Sequence, residues 1–460
     1  NITGSSITID ISATSENGSI SKYYYRINES EYIESSNKEI TISDLNKLTE
    51  YKIEVYAVDN TNAKSNIYEL NVSTTDISIP IINNVSVSNI TTTGFTLTVN
   101  ATSEYEISKY YFIIDSEDIA GITSENNYTF YNLNYNTTYK VKIYVVDNED
   151  NISKIYTINI TTEDVLFLAD YIKGLYTSQG ANGLYYHTSS LANGAEDNSY
   201  RYAGANPNNY VCFGSDASPC PDDNLYRIIG VFDDEVKLIK WDYANRNILG
   251  TNGSFSNTPI NITSNYRGNL TKIDVFLWNN NTATNNWNES NLNTINLNQN
   301  FINNIGILWS NLISTHSWKV GGMTADNGLN SNAKNVYDYE VGVYSFNINY
   351  SAKIGLMYYS DYYFSASPNF WLYPGVDSST NKDYSAAVNN NWMYMGFSDW
   401  TITRWSETTN YVLDFTSEGR PWDPGKADGR LDGVRPCFYL LSTVKYIKGS
   451  GTQSDPIRIS

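Results

Sequence analysis

The run Thr49-Glu-Tyr-Lys-Ile-Glu-Val-Tyr-Ala-Val-Asp-Asn60 recurs as Thr137-Thr-Tyr-Lys-Val-Lys-Ile-Tyr-Val-Val-Asp-Asn148. In each copy the apolar residues alternate: Tyr51, Ile53 and Val55 match Tyr139, Val141 and Ile143. Upstream, Ala13-Thr-Ser-Glu16 and Ile20-Ser-Lys-Tyr-Tyr-Tyr25 return as Ala101-Thr-Ser-Glu104 and Ile107-Ser-Lys-Tyr-Tyr-Phe112. Ile7, Ile9 and Ile11 likewise match Phe95, Leu97 and Val99. Period-two alternation over short runs separated by Asn, Asp and Gly predicts half-buried strands. A repeat of about 88 residues is too long for a solenoid unit and right for a small β-sandwich.

The spacing Leu45-x-x-x-Thr49-x-Tyr51, repeated as Leu133, Thr137 and Tyr139, resembles the fibronectin type III pattern. The resemblance covers residues 1–163 and implies that each Tyr forms a tyrosine corner. Lys47 and Tyr135 depart from it, standing where that family often has Pro. Asn1 aligns with Asn89, so the strand expected over Ile79–Ser88 has no counterpart in the first copy. The expectation is a chain that starts inside a domain, with any export signal or anchor upstream. The expected domains are residues 1–76, 77–163 and 164–460. With no catalytic constellation in the repeats, they read as spacers rather than binding modules.

Composition narrows the function. A chain of 460 residues with 40 tyrosines, 14% aromatics and only 17% charged residues carries a formal net charge of −19. That charge disfavours nucleic acid and anionic membrane surfaces as partners. No apolar run approaches the roughly 20 residues that cross a bilayer, so no membrane insertion is expected within this chain. The aromatic content argues against disorder. Two histidines and three cysteines leave little material for a metal centre or a His-based active site.

After Glu163 the pattern changes. Val165, Leu168, Ile172 and Leu175 predict a helix of about 11 residues, N-capped by Thr162 or Asp164 and limited by Gly174 and Gly180. A hairpin is expected from Tyr226–Phe232 and Val236–Trp241, turning at Asp233-Asp-Glu235. The polar span from Asn245 to Asn300 reads as loops around one apolar anchor, Ile273-Asp-Val-Phe-Leu-Trp278. Lys353–Tyr359 reads as a strand and Asp383–Asn390 as a short helix, giving an α+β region. Cys212 and Cys220 suit a loop-stapling disulfide in an exported protein better than a metal site. Cys437 reads as a buried strand residue rather than a nucleophile.

The most informative segment runs from Asn391 to Leu440. Between Thr403 and Asp432, large aromatics stand beside charged residues without helical or strand periodicity. Trp, Tyr and Arg are the residues of binding hot spots, and pairs such as Arg404-Trp405 and Pro421-Trp422-Asp423 are difficult to bury together. The plainer alternative is a polar loop with one or two Trp tucked inward. The framework Trp392-Met-Tyr-x-Gly396, Trp400-Thr and Gly433-Val-Arg-Pro436 resembles bacterial surface proteins with a C-type-lectin-like domain. More narrowly, it is similar to variable proteins targeted by diversity-generating retroelements in gut bacteria and their phages. The tail Gly449–Ile457 resembles endings common in such Firmicutes proteins. This resemblance covers residues 165–460. It implies that Trp400, Gly433, Arg435 and Pro436 are scaffold, and that Arg404, Trp405, Glu407, Asn410, Tyr411, Arg420, Trp422 and Asp423 face a ligand. The calcium-dependent sugar motifs of animal lectins (Glu-Pro-Asn or Gln-Pro-Asp with Trp-Asn-Asp) are absent, and Cys437 alone does not supply the cysteine pair of formylglycine-generating relatives.

Other chemistry finds little support. No phosphate-cradling glycine motif occurs. Asp222-Asp223, Asp233-Asp-Glu235 and Asn148-Glu-Asp-Asn151 read as solvated turns rather than calcium loops. His187 and His316 read as packing residues. The expected fold class is therefore two all-β fibronectin type III-like sandwiches followed by an α+β C-type-lectin-like domain. The expected function is non-catalytic adhesion or ligand binding outside the cell or on a phage virion, without a cofactor or metal. The partner would be a protein or glycan on another cell, phage or host surface. A surface glycan hydrolase using a carboxylate pair and a structural fibre or pilus subunit are the alternatives.

Overall fold

Each copy of the duplicated run forms a ten-residue strand whose alternate side chains enter a core. In the second copy Tyr139, Val141, Ile143 and Val145 are buried, while Lys140 and Lys142 face outward. The computed structural model describes residues 1–16, 18–75, 79–114, 119–324, 331–372, 384–419 and 424–460. The expected boundary at residues 76 and 77 and the expected helix start at Asp383 lie outside the described residues. The chain divides into two units, Asn1–Val165 and Leu166–Ser460.

In the first unit the strands are β1 (Ile7–Asp10), β2 (Ile20–Ile27), β3 (Ile33–Ser35), β4 (Glu39–Ile42), β5 (Glu50–Asp59) and β6 (Tyr68–Ser73). The second repeat continues with β7 (Ile81–Ser88), β8 (Phe95–Thr102), β9 (Ile107–Ile114), β10 (Ile119–Thr123), β11 (Asn127–Phe130), β12 (Thr138–Asp147) and β13 (Tyr156–Thr161). Among the described residues the second repeat is a sandwich of one sheet ordered β10-β9-β12-β13 and another ordered β11-β8-β7. The first repeat matches it with β3-β2-β5-β6 and the pair β1-β4. Phe95, Leu97, Val99, Phe112 and Ile114 fill the second core; burying each such side chain is worth about 1.5–3 kcal/mol.

The two tyrosine corners are built alike. Asn46 N–H donates to the Tyr51 hydroxyl, and Asn134 N–H to the Tyr139 hydroxyl, both at 2.8 Å. At the positions without Pro, the Thr49 and Thr137 hydroxyls hold the carbonyls of Lys47 and Tyr135 at 2.8 Å. The following residues, Leu48 and Asn136, turn the chain with φ of 48° and 46°. The Thr162 hydroxyl belongs to this corner, donating to Asn134 O at 2.7 Å and accepting from Thr137 N–H. It therefore does not cap the next helix, and neither does Asp164. That helix spans Leu168–Gly174, with Phe167 at its N-cap and no side-chain cap. It starts late because Phe167 bridges to Lys445, and Leu168 N–H bonds Val444 O.

The second unit adds β14 (Leu184–Tyr186), β15 (Tyr200–Tyr202), β16 (Tyr210–Cys212), β17 (Leu225–Phe232), β18 (Glu235–Lys240), β19 (Ile260–Asn261) and β20 (Lys272–Ile273). Further along come β21 (His316–Lys319), β22 (Asn349–Ala352), β23 (Ile354–Gly355), β24 (Asp399–Arg404), β25 (Tyr411–Phe415) and β26 (Gly425–Lys426). The last three strands are β27 (Cys437–Leu440), β28 (Tyr446–Lys448) and β29 (Arg458–Ile459). Among the described residues the main sheet runs β14-β15-β17-β18-β27-β23, with β16 also on β17. Its centre is the expected hairpin β17–β18, turning at Asp233 with φ 54°. The smaller sheet β24-β25-β26 carries the segment of interest.

Two expectations fail here for identifiable reasons. Only Ile354–Gly355 of the 353–359 run is strand, because Tyr358 caps a helix, Tyr359–Phe364. Asp361 accepts from Tyr358 N–H, and Glu340 accepts from Tyr359 and Ser360 N–H, each at 2.8 Å. The polar span contains a π-helix, Leu292–Phe301, rather than loops alone. Leu292, Leu297 and Phe301 are buried beside Asn293 and Asn296. Asn296 earns its burial by donating to Leu249 O at 2.8 Å and accepting from Ser254 N–H at 2.9 Å.

A charged network crosses this core. Lys237, fully buried, meets Asp361 at 2.6 Å, and Arg201 meets Asp361 at 3.8 Å and Asp197 at 2.5 Å. Lys237 lies 4.3 Å from the Tyr358 ring centre, and Arg201 4.6 Å from that of Phe232. Beside them His187 accepts from Ala195 N–H at 2.9 Å and meets the Phe364 and Trp371 rings at 4.9 and 5.1 Å. Burial and then Arg201 push its pKa well below the ordinary histidine value, so the folded ring is neutral.

Two predictions follow from this packing. Tyr139→Phe removes an acceptor from a buried corner and should cost about 1–3 kcal/mol in chemical denaturation of the full chain; unchanged stability would show that the corner contributes nothing. A neutral His187 stabilises only above its unfolded pKa of about 6.5, and that contribution is lost as pH falls. Thermal midpoints between pH 7.5 and pH 5 should therefore fall less steeply in His187→Phe than in the parent; equal slopes would refute the assignment.

Candidate ligand-binding surface

Strand β24 is anchored before it reaches the surface. At its start, the Arg435 Nε donates to Asp399 Oδ2 at 2.6 Å, and Nη2 donates to Met393 O at 2.9 Å. Both side chains are almost fully buried. Burial pushes the Asp399 carboxyl up to about 6, against the opposing pull of Arg435. Trp400 is buried and donates from Nε1 to Phe276 O at 2.8 Å. Gly433 bridges to Asp399 and lies so close to the Tyr243 ring that a Cβ would collide with it. Pro436 is buried, and its carbonyl accepts from Lys240 N–H at 3.0 Å. These four residues all sit inside the domain.

Beyond this anchor the chain emerges. Arg404, Trp405, Asn410 and Tyr411 are half-buried and Glu407 is exposed. The five occupy the end of β24, the turn and the start of β25, so the structure gathers them at one hairpin tip. Trp405 Nε1 donates to Glu407 at 2.9 Å, and its ring meets Tyr411 edge-on at 6.3 Å. Arg404 donates from Nε to Gly321 O at 3.0 Å. Asn410 contributes main chain, its carbonyl accepting from Ala427 N–H at 2.9 Å. Arg420, Trp422 and Asp423 lie outside the described residues.

The tip is held by residues that the sequence pattern did not single out. Asn285 Nδ2 donates to the carbonyls of Trp405, Thr408 and Tyr411 at 3.0, 3.0 and 2.7 Å. Asn285 N–H adds a bond to Thr409 O at 2.8 Å. On the other side Met323 exchanges hydrogen bonds with the main chain of Arg404 and Ser406. Glu340 accepts from the Thr403 hydroxyl, one residue before Arg404. One Asn of the pair in Thr284-Asn-Asn-Trp287 gives no sequence signal for this role.

Cys212 and Cys220 are disulfide-bonded with Cα atoms 5.9 Å apart. Cys437 is buried in β27, where desolvation pushes its thiol up to about 12. Asp147 organises the turn at 148–151, accepting from Glu149 and Asn151 N–H at 3.0 and 2.9 Å. Among the described residues no cluster of three or more His, Cys, Asp or Glu could hold a metal. Asp414 and Asp432, both buried, flank Arg430 at 2.8 and 3.1 Å, closed off from solvent.

Replacing Asn285 with Asp exchanges the donating amide for a second acceptor aimed at three carbonyls. The tip should loosen, with amide exchange at 405–411 accelerating by the equivalent of about 1–3 kcal/mol; unchanged protection would refute the clamp.

No family model matches the chain, and no curated protein matches it. Among solved structures, the chain is similar to a two-domain fibronectin type III segment of chicken tenascin, with 16% identity over 35% of this chain and 95% of that one and a TM-score of 0.18. It is also similar to the fibronectin(III)-like modules of Clostridium thermocellum CbhA, at 16% identity over 35% and 87% with a TM-score of 0.16. A third similarity, to chicken CNTN1 FN1-FN3 domains, has 16% identity over 35% and 64% with a TM-score of 0.18. Likeness at this level adds nothing to the strand order and tyrosine corners described above.

Proposed function

We propose that this is an extracellular, non-catalytic recognition protein. Two fibronectin type III-like sandwiches would carry a C-type-lectin-like domain over residues 164–460, on a cell or phage virion surface. The observation that carries the reading is the hairpin tip: Arg404, Trp405, Glu407 and Tyr411 are presented together on a main chain pinned by Asn285 and Met323. Rigid aromatic and Arg side chains on a fixed support bind with little ordering cost. The disulfide fits an oxidising compartment, and no described helix is long and apolar enough to cross a membrane. The partner is a protein or glycan displayed by another cell, phage or host. Within this reading, residues 404–423 are the stretch diversified by a retroelement.

The test uses the full chain on a glycan array and on a panel of intact bacterial and host cells. Trp405→Ala combined with Glu407→Ala should weaken any saturable binding about tenfold or more while leaving the melting temperature in place. Binding that survives the double variant unchanged would remove the tip as the site. Diversification has its own check at the gene: adenine-derived codons over 404–423, a near-copy of the segment and a reverse transcriptase nearby.

A further inference from the structure

Next to the tip lies an apolar surface outside the segment that the resemblance marks as ligand-facing. Val343, Tyr344, Phe346 and Ile348 expose 80%, 65%, 46% and 44% of their surface within six residues. The loop's own bonds hold these side chains outward. Val341 N–H bonds Tyr337 O and Tyr344 N–H bonds Asp338 O, each at 2.9 Å, and the Ser345 hydroxyl bonds Gly342 O at 2.8 Å. The Tyr344 ring rests 5.2 Å from Tyr339.

The same loop is joined to the hairpin through one short extended segment. Val320 N–H bonds Ile348 O at 2.8 Å, and Gly321 is so close to Phe346 that a Cβ there would collide with it. One residue on, Gly322 packs as tightly on Arg404, whose Nε bonds Gly321 O. Underneath, Glu340 ends the helix that leads into the loop and accepts from Thr403 in β24. Loop and tip therefore share a single support, with Arg404 between the apolar loop and Trp405.

Arg404 is a half-buried cation whose terminal nitrogens have no partner among the described residues, in a chain of net charge −19. Burial lowers its pKa from the ordinary arginine value. Among the described residues no carboxylate pairs with this group and nothing covers the apolar loop beside it. Exposed Val and Ile side chains offer a glycan no hydrogen bonds, whereas they match the apolar side chains of a protein. Resting on the recognition reading above, we propose that the ligand face extends across Gly321–Gly322 onto Val343–Ile348. It takes a protein segment that places a carboxylate on Arg404 and apolar side chains on this loop.

The experiment selects a random dodecapeptide display library on the full chain, then measures the best synthetic peptide by calorimetry. Enriched peptides should carry Asp or Glu beside Leu, Phe, Tyr or Trp. Val343→Asp with Phe346→Ser should weaken binding about tenfold or more, and so should Arg404→Met. Neutralising the peptide's carboxylate should weaken binding to the parent and change nothing further in Arg404→Met. Val343 is exposed, so an unchanged melting temperature verifies that the loop variant folds. Peptides weakened by Trp405→Ala but untouched by the loop variant would overturn the proposal and leave the tip as the site. Failure to enrich peptides, with tip-dependent binding on the glycan array, would do the same. Binding indifferent to both sets of variants would overturn both.

Discussion

The second unit depends on one buried guanidinium. Arg435, two residues before β27, is tied to Asp399, where β24 begins, and to the carbonyl of Met393. An unpaired charge in that position would be costly, so the three segments are obliged to meet there. Everything outward of it inherits its position from that contact. Trp400 bonds Phe276, Thr401 bonds Leu413 O, Thr403 bonds Glu340, and only then does β24 reach Arg404 at the surface. The strand is thus fixed by a polar bond at almost every step of its buried length. The buried strand thereby sets the geometry of the tip it carries.

The first unit was largely legible because its signals are local. Alternation over Tyr51–Val55 and Tyr139–Ile143 names the buried face, and the resemblance carried by the Leu-x-x-x-Thr-x-Tyr spacing implies the corner. What could not be read was how the corner manages without Pro. Two Thr hydroxyls and two left-handed residues, Leu48 and Asn136, do that work, and neither has an obvious period. The late start of the Leu168 helix was hidden for a different reason. Its first turn is displaced by pairing with residues near 444–446, a contact between the two ends of the second unit.

In the second unit the hairpin β17–β18 could be found, since apolar runs mark its strands and acidic residues its turn. The polar span could not. Asparagine scores as a loop residue, yet Asn285, Asn293 and Asn296 are buried because each amide meets main-chain groups. Hydrophobic patterning has no means of distinguishing a solvated amide from one that replaces backbone pairing. The exposed loop at 343–348 escaped notice from the opposite side. Its apolar residues face solvent in the structure, and alternation alone does not show which face is exposed.

The Asn285 clamp has a consequence for how this surface could change over time. Its amide touches only carbonyl oxygens, which every amino acid supplies in the same place. Replacing the side chains at 405, 408 or 411 leaves each of those bonds in place. The support is blind to the identity of what it carries, as a picture hook is to the picture. A change at Asn285 itself would be felt whichever side chains the tip displays.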